Sequence, residues 1–199
     1  MTFSRRDAVS FGLDKMKPNL SAFLVLSMIS FLISGIHGSL RQYPGHLWLA
    51  SLSLQLVHVG VTMAWTKAAL LSHDGTRASS QNLVPTMQPF FNYAVAGAIY
   101  GLMVAVGMIL LVVPGVLLAL RYCLFPFLIL DQNLDAIAAL KRSAQLTEGV
   151  RGELFVFGLL LMVLNLLGAL AFGIGLFATL STSAVVAAYV YRRLLERAG

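Results

Sequence analysis

Arg121 is the residue with the most chemistry to account for. It stands inside an apolar run, a few positions past Pro114-Gly115 and ten before Asp131. A guanidinium presents five donors and keeps its charge at any physiological pH. Within hydrocarbon an arginine costs at least about 2.5–3.5 kcal/mol, so something must solvate it. Ser51, Gln55, His58 and Thr62 recur at helical spacing in a second apolar run, and Asn165 and Thr182 stand in two later ones. One chemistry for Arg121, His58, Gln55 and Asn165 is a small hydrated hollow that holds an anion or a lipid phosphate. The other, commoner in helical bundles, is hydrogen bonding between helices as structural glue. His58 taken alone reads as a satisfied core histidine.

A second set of charges, Lys141, Arg142 and Arg151 with Arg192 and Arg193, suits anionic lipid headgroups, at about 1 kcal/mol for each cation near the surface. Membrane topology alone also accounts for them.

Catalytic patterns are missing: there is no His-Glu-x-x-His, Gly-x-Ser-x-Gly, phosphate-binding glycine loop or cysteine pair. His73-Asp74 offers a histidine beside a carboxylate, but adjacent loop residues rarely form a base and its orienter. His37 and His46 flank a segment with Arg41 and Tyr43, and two histidines so placed are a weak metal pattern. The expectation is a protein without enzyme activity, cofactor or metal.

The elements that carry these residues follow from composition. Of 199 residues, 58% are hydrophobic and 11% charged, and the mean hydropathy is +0.83, which points away from a water-soluble fold. The formal charge of +6 does not indicate nucleic acid, because the basic residues sit at the ends of apolar runs and form no continuous patch. Cys123 is the only cysteine, so no disulfide forms within the chain. Ser4-Arg5-Arg6 has a faint likeness to a twin-arginine export signal, but the polar residues that follow suit an amphipathic lead-in helix better.

The apolar runs predict spans at about 20–36, 47–71, 90–113, 116–130, 154–172 and 174–191 in one membrane domain covering 1–199. The fourth, with Arg121 and Pro126, predicts a kink near the proline. Tight hairpins are expected at Val113-Pro114-Gly115 and at Gly173. Segments 7–17 and 134–146 have the spacing of amphipathic helices lying along the membrane. A short amphipathic helix, a polar joint and a hairpin thus occur twice, as a faint repeat.

Positive charge is retained on the cytoplasmic side. Arg5, Arg6, Lys15 and Lys17 precede the first span, Lys67 and Arg77 close the second, Lys141, Arg142 and Arg151 separate the fourth from the fifth, and Arg192, Arg193 and Arg197 follow the sixth. Only Arg41 falls on the other side, which predicts both termini in the cytoplasm. Gly97, Gly101 and Ala105, like Ala184 and Ala188, form stripes of small residues that let helices approach closely, within the chain or in a homodimer.

Three stretches carry a resemblance: Leu111-Val-Val-Pro-Gly-Val-Leu-Leu-Ala-Leu-Arg-Tyr, Phe125-Pro-Phe-Leu-Ile-Leu-Asp131 and Ala136-Ile-Ala-Ala-Leu-Lys-Arg-Ser-Ala-Gln-Leu-Thr-Glu-Gly149. Together they resemble the membrane domain of some glycerophosphodiester phosphodiesterases and a wider set of bacterial six-helix inner-membrane proteins. In the phosphodiesterases a separate soluble barrel performs the hydrolysis, and no such barrel precedes Gly199. The resemblance therefore implies architecture and bacterial origin.

The expected protein is an all-α, multi-pass bundle of a bacterial inner membrane. Its partners are the lipid bilayer, anionic lipids and a second membrane protein or a second copy. It would serve as a scaffold, accessory or lipid-interacting component. A small permease built around Arg121 is the alternative, and a lipid-acting enzyme a more distant one.

Overall fold

The computed structural model describes residues 5–40, 48–84, 86–170 and 174–198. They form α1 (Arg5–Met16), a one-turn 3-10 link (Lys17–Asn19), α2 (Leu20–Leu40), α3 (Trp48–His73), α4 (Ser80–Leu83), α5 (Met87–Leu110), α6 (Val112–Tyr122), α7 (Phe125–Gln132), α8 (Ala136–Leu146), α9 (Arg151–Leu170) and α10 (Ile174–Ala198), with no strand among the described residues. Five segments are long and apolar enough to cross a bilayer: Asp7–Leu40, Leu49–His73, Met87–Leu110, Val112–Gln132 and Arg151–Leu170.

The distribution of apolar side chains supports that reading. A helix of a soluble domain buries its apolar stripe and turns polar residues outward. Here at most 33% of each apolar window is buried, and Phe31, Ile109 and Leu170 stand 75%, 84% and 74% exposed. Large contiguous apolar surface of this kind is what hydrocarbon solvates and water does not.

Helix α10 is the central post. It packs against α9, α1, α3 and α2, and buries Val185, Val186, Ala188, Val190, Tyr191 and Leu194 together with the polar Ser181 and Thr182. Both hydroxyls are satisfied within the helix, by the carbonyls of Phe177 and Ala178. The chain forms three hairpins, α2–α3, α5–α6/α7 and α9–α10, each preceded by a shorter helix. Each short helix docks on the hairpin before it in cyclic order: α4 on α3, α8 on α7, α5 and α6, and α1 on α10. The repeat expected twice from the sequence is thus joined by a shorter third unit.

Segment 7–17, with the spacing of an amphipathic helix, packs lengthwise against α10. Phe11 meets Tyr189 at a ring distance of 5.0 Å, and Met16 Sδ lies 3.3 Å from the Thr182 hydroxyl oxygen, so α1 runs antiparallel to α10. Gly12 makes this possible. A Cβ there would strike Val186 and approach the Thr182 carbonyl to 3.1 Å.

The expected turn at Val113-Pro114-Gly115 lies slightly earlier, at the extended residue Leu111, and Pro114 falls in the first turn of α6, where no amide hydrogen is needed. Gly107 and Gly115 face each other across this reversal; a Cβ on Gly107 would come within 2.9 Å of the Gly115 Cα. The expected kink near Pro126 is a break at Cys123-Leu124 that separates α6 from α7.

Candidate functional site

Proline at 126 has no amide hydrogen, so the helix carrying Arg121 cannot run through uninterrupted. The broken turn leaves backbone groups that must find partners. Helix α8 supplies them: Ser143 Oγ and Thr147 Oγ1 donate to the Arg121 carbonyl at 3.2 and 3.0 Å, and the Leu124 amide donates to Ser143 Oγ at 3.2 Å. Both hydroxyl residues are fully buried. The Ser-Ala-Gln-Leu-Thr portion of the third quoted stretch therefore has a structural task, which is to cap the break in the first.

Fixing the Arg121 backbone against α8 turns its side chain outward. The guanidinium is exposed, lies 5.5 Å from the centre of the Tyr122 ring and lines a hollow of about 420 Å³ between α5, α6 and α8. Ile99, Met103, Ile137 and Leu140 form the apolar wall of this hollow, and Lys141, Gln145 and Glu148 share its polar rim with Arg121. The combination is a greasy wall beneath two cations, with one carboxylate beside them.

The residues expected to share one hydrated interior fall in three places. Arg121 is in the hollow under α8. His58 and Gln55 line a different hollow of about 420 Å³ between α2 and α3, together with Ser34 and His37, whose Nδ1 is 3.5 Å from Ser51 Oγ. Asn165 is paired across α9 and α10 with Ser183: its amide donates to the hydroxyl at 3.1 Å, and its carbonyl accepts the hydroxyl at 3.3 Å. That reciprocal pair is the structural-glue arrangement. Arg41, Tyr43 and His46 lie outside the described residues. Among the described residues no group of three His, Cys, Asp or Glu side chains is placed to hold a metal.

Of the second basic set, Lys141 alone faces the Arg121 hollow. Arg142 donates to Gln145 Oε1 at 3.4 Å, and Arg151 buries its Nε without a hydrogen-bond partner among the described residues. Of the small-residue stripe on α5, a Cβ on Gly97 would come within 4.0 Å of the Phe125 ring, whereas one on Gly101 would meet open space.

Two clusters were not legible as clusters. Arg192 bridges the ends of two other helices, with Nη1 2.8 Å from Asp131 Oδ2 and Nη2 2.9 Å from Asp74 Oδ2. The Tyr191 hydroxyl donates to the same Asp131 oxygen at 2.8 Å, and His73 Nδ1 lies 3.0 Å from Asp74 Oδ1. Burial alone would raise the Asp74 carboxyl, but the His73 hydrogen bond and the Arg192 charge outweigh it and hold Asp74 below the usual carboxylate range. His73-Asp74 is therefore part of a clasp joining α3, α7 and α10.

Beside it, the buried Asn19 side chain donates to Ser72 Oγ and the Thr76 carbonyl, both at 2.9 Å, and accepts from the Ala78 amide at 2.7 Å. One amide thereby ties the start of α2 to the loop after α3. The only hint in the sequence was an Asn after Pro18, a common turn pairing.

No family model, curated protein or solved structure matches this chain.

Proposed function

We propose that this chain is a non-catalytic protein of a bacterial inner membrane, with six spans and both ends in the cytoplasm. In this reading it acts as a lipid-interacting scaffold whose hollow under α8 takes the headgroup of an anionic phospholipid. Helix α10, 25 residues long, serves as the sixth span. Meeting of the ends of α3, α7 and α10 at Arg192 supports a single cytoplasmic face, because three returning spans of an even-numbered bundle finish on the same side.

The observation that carries the lipid reading is the pairing of Arg121 with Lys141 over the apolar wall of Ile99, Met103, Ile137 and Leu140. A phospholipid presents the complementary surface, a phosphodiester above acyl chain. A guanidinium binds phosphate through a planar fork and an ammonium as a point charge. At about 1 kcal/mol each, the two cations favour anionic over zwitterionic lipid by roughly tenfold to thirtyfold. Glu148 on the rim limits the preference and keeps the hollow from attracting multiply charged anions indiscriminately.

Native mass spectrometry of the purified protein with mixed phosphatidylglycerol and phosphatidylcholine tests this directly. The expected result is retention of phosphatidylglycerol by the parent chain, and loss of that selectivity in Arg121→Ala/Lys141→Ala but not in His58→Ala. Equal selectivity in all three would refute the assignment.

A further inference from the structure

We propose that a second site, at the start of α5 and independent of the hollow under α8, holds a phosphate group on Lys67. In the sequence Lys67 reads only as a topology marker. In the fold it is half-buried on α3, six residues, or roughly 9 Å of helix, before the end at His73. Its ammonium has three donors to place. Among the described residues its ammonium reaches the Leu130 carbonyl at 3.5 Å, longer than an ordinary N–H···O bond.

No carboxylate among the described residues forms an ion pair with Lys67. Asp131, next along α7, is held by Arg192 and Tyr191, and Asp135 accepts from the Asn92 amide at 3.4 Å. A partly desolvated cation without a counter-charge is stabilised by an anion beside it.

The surroundings favour an anion. Lys67 lines a seat of about 90 Å³ with Asn82, Thr86 and Asn133. Asn82 is locked in place, accepting from the Ser79 amide at 2.8 Å and donating to the Arg77 carbonyl at 3.3 Å. Asn133 adopts a left-handed conformation at φ 51°, the only positive φ among the described non-glycine residues, and this ends α7 beside the seat. At about 30 Å³ for each water in the liquid, the seat has room for roughly three waters, on the scale of one tetrahedral oxyanion.

It adjoins a wider hollow of about 360 Å³ that shares Thr86, Pro89 and Asn133 and continues to Gln88 and Asn92. A phosphate in the seat would therefore have space for an organic substituent, lined by neutral amides. Free phosphate, a phosphate monoester and a phospholipid headgroup share the chemistry that Lys67 recognises.

The test uses the whole chain in lipid nanodiscs and reads its thermal midpoint. In pure phosphatidylcholine discs, inorganic phosphate is titrated against chloride at matched ionic strength; in a second arm, phosphatidylglycerol replaces part of the lipid and phosphate is omitted. The variants are Lys67→Gln, Asn133→Asp, which places a like charge beside the ligand, and Arg121→Ala/Lys141→Ala. The expected result is a midpoint that rises with phosphate, with apparent affinity reduced at least tenfold in Lys67→Gln and in Asn133→Asp and unchanged in the α8 double variant. Stabilisation by phosphatidylglycerol alone, lost in the same two variants, supports the proposal and identifies the lipid as the source. Absence of any Lys67-dependent response in either arm overturns it, and if Lys67→Gln fails to fold, Asn133→Asp decides. The α8 variant separates this outcome from the fate of the lipid reading above.

Discussion

Arg192 Nη1 stands 2.8 Å from Asp131 Oδ2, and this contact ties the last hairpin to the middle one. The same guanidinium reaches Asp74 at the end of the first hairpin, so one side chain gathers all three returning helices. The Asp131 and Arg192 side chains are only 18% and 25% exposed. For such a pair, losing one partner costs more than forming the pair gains, because the remaining charge stays partly buried.

Arg192→Ala is therefore expected to destabilise the protein by about 2 kcal/mol, between the values for surface and fully buried pairs. Asp74→Asn, at the more exposed end of the clasp, should cost less. Thermal unfolding in a mild detergent reads both, and an Arg192/Asp131 double-mutant cycle should return a larger coupling than an Arg192/Asp74 cycle.

The clasp also fixes a pH dependence. Asp74 is held below its usual value, so its contribution is complete above an unfolded carboxylate value of about 3.9 and is lost as pH falls through the lower folded value. Burial would lower Arg192, but Asp131 and Asp74 raise it above its ordinary value, so its contribution is complete through the neutral and mildly alkaline range and is lost only in strong alkali, on passing the raised value. The contribution of these two groups should thus be flat between about pH 5 and 10 and decline in acid, and Asp74→Asn should make the acid decline shallower. Thermal midpoints measured across pH check the sign.

Ser143→Ala and Thr147→Val remove the hydroxyls that satisfy the Arg121 carbonyl at the broken turn. Ser143→Ala, which also strips the Leu124 amide of its acceptor, should cost about 1–3 kcal/mol, the range for a buried polar group left without a partner, and Thr147→Val, which leaves Ser143 on the carbonyl, should cost less. Because either hydroxyl alone can satisfy the Arg121 carbonyl, the double variant should cost more than the sum of the two singles, and denaturant unfolding of the double variant measures the excess.

Asn19→Leu fills similar space but abolishes three hydrogen bonds to Ser72, Thr76 and Ala78. Two of the lost partners are backbone groups of the loop that carries Arg77. Limited trypsin digestion should cut the variant after Arg77 faster than the parent, with a loss of about 2 kcal/mol in global stability.

How far the sequence foretold this arrangement depends on the range over which each residue acts. The apolar helices are legible because greasy runs of about 20 residues have few other uses, and the break before Pro126 follows from one missing amide hydrogen. The direction of the Arg121 side chain was not legible. It depends on how α6 is rotated against α8, which is decided by Ser143 and Thr147, 22 and 26 residues away.

The clasp was hidden for the same reason: Arg192 is 61 residues from Asp131 and 118 from Asp74, and no local pattern links them. Helix α1 looked interfacial because its polar and apolar residues alternate at helical spacing. The helix it packs against, α10, was concealed at the far end of the chain. Lys67 looked like one more topology cation because the polar seat around it is assembled from three other segments.

Cysteine accessibility tests the account most directly. In a Cys123→Ala background, single cysteines are placed at the exposed positions Arg77, Glu148 and Ser39, and sealed vesicles are treated with a membrane-impermeant maleimide from either side. The account predicts that positions 77 and 148 react from one face and position 39 from the other. Labelling of 77 and 148 from opposite faces would contradict it.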